Sequence, residues 1–167
     1  MLAIIIVTSL LSNISFLQNY LGNPSPTAIS KTEIDAINFL QKLPIGTILT
    51  YPYDEYLKTS HSQTPLPIYL YETTSYLTAY TKHQTFVDDY MNLQNSGYNW
   101  IERLDNSKKF FEQKSIHQDR GFLVNNQIDY IYLATPQKNM TNLNIDQLYL
   151  KTIYENPEIT IYQVERW

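Results

Sequence analysis

The chain has no cysteine and only four glycines in 167 residues. The first absence excludes disulfides, thiolate metal sites and a cysteine nucleophile, and it fits either side of a membrane. The second removes whole enzyme classes. Glycines stand at 22, 46, 97 and 121, so neither G-x-G-x-x-G nor a P-loop can be built. H-E-x-x-H and G-x-S-x-G are absent as well. Basic residues are sparse, with Lys+Arg 12 against Asp+Glu 16 for a net charge of -4, and they do not cluster beyond pairs such as Lys108-Lys109. The electrostatic footprint of a nucleic-acid binder is therefore missing, and no nucleic-acid partner is expected. His61, His83 and His117 lie in unrelated contexts, without a Ser–His–Asp arrangement. No cofactor is implied.

What is present begins with an uncharged N-terminal run. Residues 2–17, L-A-I-I-I-V-T-S-L-L-S-N-I-S-F-L, carry only small or amide polar groups. This falls just short of the roughly 20 residues that cross a hydrocarbon core as a helix. A signal peptide would start with a basic region and end in a small-x-small cleavage site. No Lys or Arg precedes the run, and Asn19–Ala28 contains Pro24 and Pro26 but no clear A-x-A. Residues 1–18 are therefore read as a transmembrane helix cut at its start or as the last span of a polytopic chain, with a degenerate signal or anchor and a buried soluble helix as the alternatives. The membrane bilayer is the first expected partner. The flank Gln18–Ser30 has no basic residue, so by the positive-inside rule it faces outward.

Residues 19–29 form a Gly/Pro-interrupted linker, and 30–167 form one soluble extracytoplasmic domain, long enough to bury a core. Ser30-x-x-Glu33 has the form of a capping box, with Ile34, Ile37, Leu40 and Leu43 following at helical spacing. Pro44 and Gly46 end that helix before the β-rich T-I-L-T-Y of 47–51. Residues 68–80 favour neither period. Strands are expected at 84–87, 128–134 and 159–164. Helices are expected at 99–113, with Ile101, Leu104, Lys108 and Phe111 on one face, at 116–126 behind Ser115-x-x-Gln118, and at 143–155. Strand, helix and strand in the C-terminal third favour a crossover unit. The expected fold class is α/β: a small, mainly parallel sheet of about four strands with flanking helices.

Three clusters are rich in chemistry. Tyr51, Tyr53, Asp54 and Glu55 follow the first strand, where open α/β sheets bind ligands. The alternative is a Pro turn whose Asp caps the next helix. His83, Asp88 and Asp89 include metal-capable groups, although a loop histidine with an acidic pair is more often solvated or capping, and no metal is assigned. Tyr69, Tyr71, Glu72, Tyr76 and Tyr80, with Tyr98 and Trp100 beyond, would suit a sugar or lipid headgroup, because tyrosine offers a ring face and a hydroxyl. In a chain with fifteen tyrosines, packing accounts for most of them. Asp54 with Asp88 or Asp89 would suit a small hydrolase only at the right carboxylate spacing.

Four segments carry a resemblance. They are E-I-D-A-I-N-F-L-Q-K-L-P-I-G-T-I-L-T-Y-P-Y-D at 33–54, P-L-P-I-Y-L-Y-E-T-T-S-Y-L-T-A-Y-T-K-H-Q-T-F-V-D-D at 65–89, N-N-Q-I-D-Y-I-Y-L-A at 125–134 and Y-E-N-P-E-I-T-I-Y-Q-V at 154–164. They look like the C-terminal extracytoplasmic region of bacterial GT-C-type membrane glycosyltransferases, polytopic proteins similar to dolichyl-phosphate-mannose protein mannosyltransferases. The resemblance implies a transferase that takes sugar from a polyprenyl-phosphate donor on the outer face of the membrane. It also implies that the catalytic acidic residues sit in a loop after the first transmembrane helix. This chain has no such loop, so no catalytic residue carries over. The implied role is a non-catalytic domain at the cell membrane that covers the membrane-embedded site. It would touch donor sugar or glycan acceptor through Tyr51, Tyr53, Asp54, Glu72, Asp88 and Asp89. A stand-alone, membrane-tethered module binding carbohydrate or a partner protein is the rival.

Overall fold

A computed structural model describes residues 13–18, 21–23, 25–71, 73–88, 90–95, 97, 100–113, 119–141 and 143–166. Residues 1–12 of the expected membrane helix lie outside these, as do linker residues Asn19, Tyr20 and Pro24 and the proposed cap Ser115–Gln118. Residues 13–18 are helical and exposed, and among the described residues no helix is long and apolar enough to cross a membrane.

Ser30 caps α1 (Lys31–Leu40), its Oγ accepting from the Glu33 N–H at 2.9 Å. The buried face of α1 is Glu33, Ala36, Ile37 and Leu40, whereas Ile34 is 45% exposed. The expected face is thus rotated, because a glutamate takes the core position that an apolar pattern assigns to Ile34. Half of the capping box forms. The Glu33 carboxylate does not return to Ser30 but turns into the core.

The main sheet has five strands, not the expected four, in the order β4-β2-β5-β7-β6. They are β2 (Thr47–Thr50), β4 (Gln84–Thr85), β5 (Ile128–Ala134), β6 (Leu150–Glu155) and β7 (Ile159–Val164). β2 pairs in parallel with both β4 and β5, while β7 runs antiparallel between β5 and β6. A separate two-stranded parallel sheet joins β1 (Thr27–Ala28) to β3 (Leu66–Pro67).

The expected helix over 143–155 is corrected. Only α8 (Ile145–Leu148) is helical, and Tyr149 then adopts a left-handed conformation (φ 52) that ends it. Leu150–Glu155 follows as a β-rich edge strand and Asn156-Pro157 turns it into β7. The crossover from β5 therefore lands on β6, and β7 returns between them, so the sheet is mixed.

Two apolar layers cover the sheet. One face packs α1 and α3 (Ser75–Thr81) through Ala36, Ile37, Leu40 and Leu77 onto Ile48, Tyr130, Tyr132 and Ile161. The other packs α5 (Trp100–Glu112) and α6 (Arg120–Asn125) through Phe110, Phe111 and Leu123 onto Leu49, Ile131 and Leu133. On α5 the inward residues are Ser107, Phe110 and Phe111. Ile101 is 56% exposed and Lys108 is exposed too, which corrects the expected face. Asp119 caps α6, its Oδ1 accepting from Gly121 N–H at 2.7 Å, so that helix begins later than Ser115 predicts.

The start of β2 has its own fastening. The β2–β5 register slips at Thr47, and Asp129 fills the gap: its Oδ2 accepts from the Thr47 N–H at 2.9 Å and its Oδ1 pairs with Arg166 at 2.8 Å. A Cβ on Gly46 would lie 2.5 Å from Asp129 Oδ2, so the close approach requires glycine there. Gly46→Ala is expected to destabilise the protein by about 1–3 kcal/mol. The clash also predicts coupling: Gly46→Ala should cost less in an Asp129→Ala background than in the wild type. Urea denaturation of the four proteins measures this, and strictly additive losses would refute the steric account.

Candidate functional site

β2 and β4 are parallel neighbours, so the residues that leave their carboxyl ends emerge side by side. Those residues are Tyr51-Pro52-Tyr53 after β2 and Val87-Asp88 after β4. The segment before α3 passes over them and is pinned there, because the Thr74 hydroxyl donates to the Val87 carbonyl at 2.7 Å. Between these pieces lies a cleft lined by Thr50, Tyr51, Tyr53, Tyr69, Tyr71, Asp88 and, from α5, Leu104 and Ser107. The cleft is narrow: over its whole extent about 20 Å³ accepts the centre of a water-sized group, room for about one water.

Tyr51, Tyr53 and Asp88, three of the residues singled out in the sequence, are brought together here. Asp54 is not. It caps α2 (Glu55–Ser60), accepting from the N–H groups of Tyr56 at 2.8 Å and Leu57 at 3.1 Å, which is the capping alternative read from the sequence. Glu72 and Asp89 lie outside the described residues. Tyr69 and Tyr71 join the cleft, Tyr76 is buried elsewhere, Tyr80 is 55% exposed, and Tyr98 lies outside the described residues. Ser107 was missed, since a serine inside a helix reads as surface.

Each wall group is held. The Tyr51 ring packs 5.3 Å from that of Phe111. The Tyr53 hydroxyl bonds the Glu55 carboxylate and accepts from Lys58 Nζ at 3.2 Å. The Asp88 carboxylate accepts from the Thr85 hydroxyl. Burial, with Asp54 and Glu112 adding negative charge, holds the Tyr51 hydroxyl above its ordinary pKa. Tyr69 is pushed up to about 12 by burial and then by Glu158 and Glu33.

Those two glutamates form a second cluster behind Tyr69. Glu33 is fully buried; its Oε1 accepts from the hydroxyls of Tyr76 at 2.7 Å and Tyr132 at 3.3 Å, while Oε2 has no hydrogen-bond partner among the described residues. Burial pushes its pKa up to about 7; Glu158 adds to the rise and the two phenols oppose it. Glu158 in turn accepts from Ser30 Oγ. Asn156, in the same turn, donates to the Thr32 carbonyl at 2.8 Å, so the β6–β7 hairpin clamps the start of α1. A carboxyl group with a near-neutral pKa has the acid strength of a general acid or base. Glu33 is sealed from solvent, and its geometry is that of a core fastening.

His83 is also structural. It is buried, its Nδ1 accepts from Gly46 N–H at 3.1 Å, and its Nε2 faces the Leu40 carbonyl at 2.9 Å. Both ring nitrogens are thus engaged in joining the end of α1 to the start of β2. Among the described residues no group of three or more His, Asp and Glu side chains could hold a metal.

No protein-family model matches the chain, and no curated protein matches it in sequence. Among solved structures it is similar to the C-terminal globular domain of an oligosaccharyltransferase from Archaeoglobus fulgidus, with a TM-score of 0.48 and 10% identity over 83% of this chain and 99% of that one. A likeness of that degree carries no argument about what this chain does.

The Glu33 cluster predicts how stability depends on pH. Its folded-state pKa, about 7, lies above the unfolded value of 4.5, so the folded protein binds the extra proton between them. Stability from this group is full below about pH 4.5 and falls as pH rises toward 7, by on the order of 3 kcal/mol in total. Glu33→Gln should remove that slope while keeping the two phenol contacts. Urea midpoints at pH 5 and pH 8 measure it; an equal slope in the variant would assign the dependence elsewhere.

Proposed function

We propose that this chain acts as a non-catalytic domain of a membrane glycosyltransferase that uses a polyprenyl-phosphate-linked sugar. Its soluble part would lie on the extracytoplasmic side, cover the membrane-embedded site and contact a sugar of the donor or acceptor. The observation that carries this reading is the tyrosine-walled cleft at the carboxyl ends of β2 and β4, with Asp88 on its wall. Sugars present C–H faces to aromatic rings and vicinal hydroxyls to carboxylates, and this cleft offers both groups. The sequence resemblance supports the membrane setting and the lipid-linked donor. A catalytic role for the cleft has less support. Glycosidic chemistry uses two opposed carboxylates, and Asp88 is the one that lines it among the described residues.

The test is an NMR titration of the full chain, in detergent, with methyl hexosides up to tens of millimolar. Shifts are expected at Tyr51, Tyr53, Tyr71 and Asp88. Tyr71→Ala and Asp88→Asn should each weaken binding about five- to tenfold, the worth of one stacking contact or one hydrogen bond. Silence of these residues across all hexosides would overturn the proposal.

A further inference from the structure

The tyrosine cleft has room for about one water, so a sugar ring meets it only at the mouth. Asp88 has a second side. Beyond it, an open groove of about 330 Å³ runs along the edge strand β4, between Thr78 of α3, Leu93 of α4 (Tyr90–Asn95) and Trp100 and Arg103 of α5. A second stretch, of about 310 Å³, lies toward the start of β2, over Thr47, Asn125, Asn126 and Gln127. The two stretches share Gln84, Thr85, Phe86 and Arg103, so they form one run. Their linings differ. The first carries Leu93, Trp100 and Val87, whereas the second carries side-chain amides, with Gln84, Asn125 and Gln127 exposed. Arg103 stands at the junction and is held there. Its guanidinium lies 5.2 Å from the centroid of the Phe86 ring, and its Nη1 donates to the Phe86 carbonyl at 3.4 Å.

We propose that this groove binds a neutral oligosaccharide, one ring against Trp100 and the next over the amides of Gln84, Asn125 and Gln127. The inference rests on the reading that this chain meets a sugar, and it moves the main contact from the cleft to the groove beside it. Size supports it. Each stretch is at the lower end of the roughly 300–1,000 Å³ of small-molecule sites, so the run suits two linked rings. Chemistry supports it too. An indole offers an apolar face to the C–H groups of a sugar ring, and side-chain amides both donate and accept, as vicinal hydroxyls do. The charged groups of the lining, Asp88 and Arg103, are one of each sign, which suits a ligand without net charge. Gln127 adds a local sign. It stands at φ 54, a conformation that glycine or asparagine takes more readily, and its side chain is exposed, so packing does not account for a long amide there. A peptide strand is the competing ligand for a sheet edge. The Gln84 and Phe86 N–H groups bond β2, and the outward groups are already taken. The Thr85 N–H donates to the Thr78 hydroxyl at 3.3 Å, and the Val87 carbonyl accepts from the Thr74 hydroxyl at 2.7 Å.

The experiment titrates the full chain, in a detergent without a sugar headgroup, with maltotetraose, cellotetraose and mannotetraose and with the matching methyl hexosides, read by NMR. At least one tetrasaccharide should bind about tenfold more tightly than its hexoside, shifting signals of Trp100, Leu93, Gln84 and Asn125. Trp100→Ala should weaken that binding about five- to tenfold, the worth of one stacking contact, and Trp100→Phe should restore part of it. Gln127→Gly guards against a folding artefact, because its φ suits glycine. It should melt no lower than wild type and bind the tetrasaccharide about fivefold more weakly. Tetrasaccharides that bind no tighter than hexosides, or binding unchanged in both Trp100→Ala and Gln127→Gly, would overturn the inference. So would shifts at Thr85 and Val87 from an uncharged valine–threonine hexapeptide without a response to any tetrasaccharide. Shifts confined to Tyr51, Tyr53 and Tyr71 would keep the cleft as the sugar contact and remove the groove, and shifts confined to the groove would do the reverse. If no sugar binds at either place, the sugar-contact reading itself falls, and this inference falls with it.

Discussion

A strand-to-strand crossover in a parallel arrangement is right-handed, so its direction along the sheet decides which face its helices cover. β2 connects in one direction, to β4, through α3. β4 and β5 connect in the other: β4 to β5 through α4 (Tyr90–Asn95), α5 and α6, and β5 to β6 through α7 (Thr135–Thr141) and α8. Opposite directions demand opposite faces, and α3 indeed packs with Ile48 and Tyr132 while the later helices pack with Leu49 and Ile131. This one constraint produces the two apolar layers. It also places the switch between the outgoing chains of β2 and β5, with the cleft opening beside it over the ends of β2 and β4. Tyr51, Tyr53, Asp88 and Ser107 come from segments far apart in sequence, and they meet because the crossovers leave that space uncovered.

The face built from α1 and α3 is held in a different way from the other. The α5 face is aromatic, with Phe122 in ring contact with both Phe86 and Phe110. The α1 face carries a buried carboxyl, two phenols and a clamp from the β6–β7 turn. A buried charge is stabilising only when paired and fully bonded, and Glu33 reaches neutrality near pH 7 instead. A purely apolar residue at 33 would fill the layer, but it would leave the hydroxyls of Tyr76 and Tyr132 without their shared acceptor.

The elements that were legible in the sequence are those whose burial matches their composition. I-D-Y-I-Y-L-A and I-T-I-Y-Q-V read as strands because both are covered on both faces. β6 was not legible. Leu150 is its one buried residue, an edge position, and its apolar spacing mimics a helix. Nothing in the composition of Tyr149 announces a left-handed turn, which is more often made by glycine or asparagine. The ends of β2 and β4 could be marked as a candidate site because strand ends are visible in sequence. The same reasoning could not tell that Asp54 caps a helix while Asp88 lines the cleft, since both are acidic residues just past a strand. Ser107 lay beyond reach for another reason: its place in the cleft lining exists only in three dimensions.

Tyr69 joins the two clusters. It lines the cleft, yet its hydroxyl is perturbed by Glu158 and Glu33, and its carbonyl accepts from Gln137 at 3.2 Å just after β5. One side chain therefore lines the candidate site and stands within electrostatic reach of the buried carboxyl. Ionising Glu33 adds negative charge near that wall and so holds the Tyr69 hydroxyl further above its ordinary pKa. The cleft and the buried carboxyl thus share a neighbour in Tyr69, whose hydroxyl is raised first by burial and then by the charges of Glu158 and Glu33.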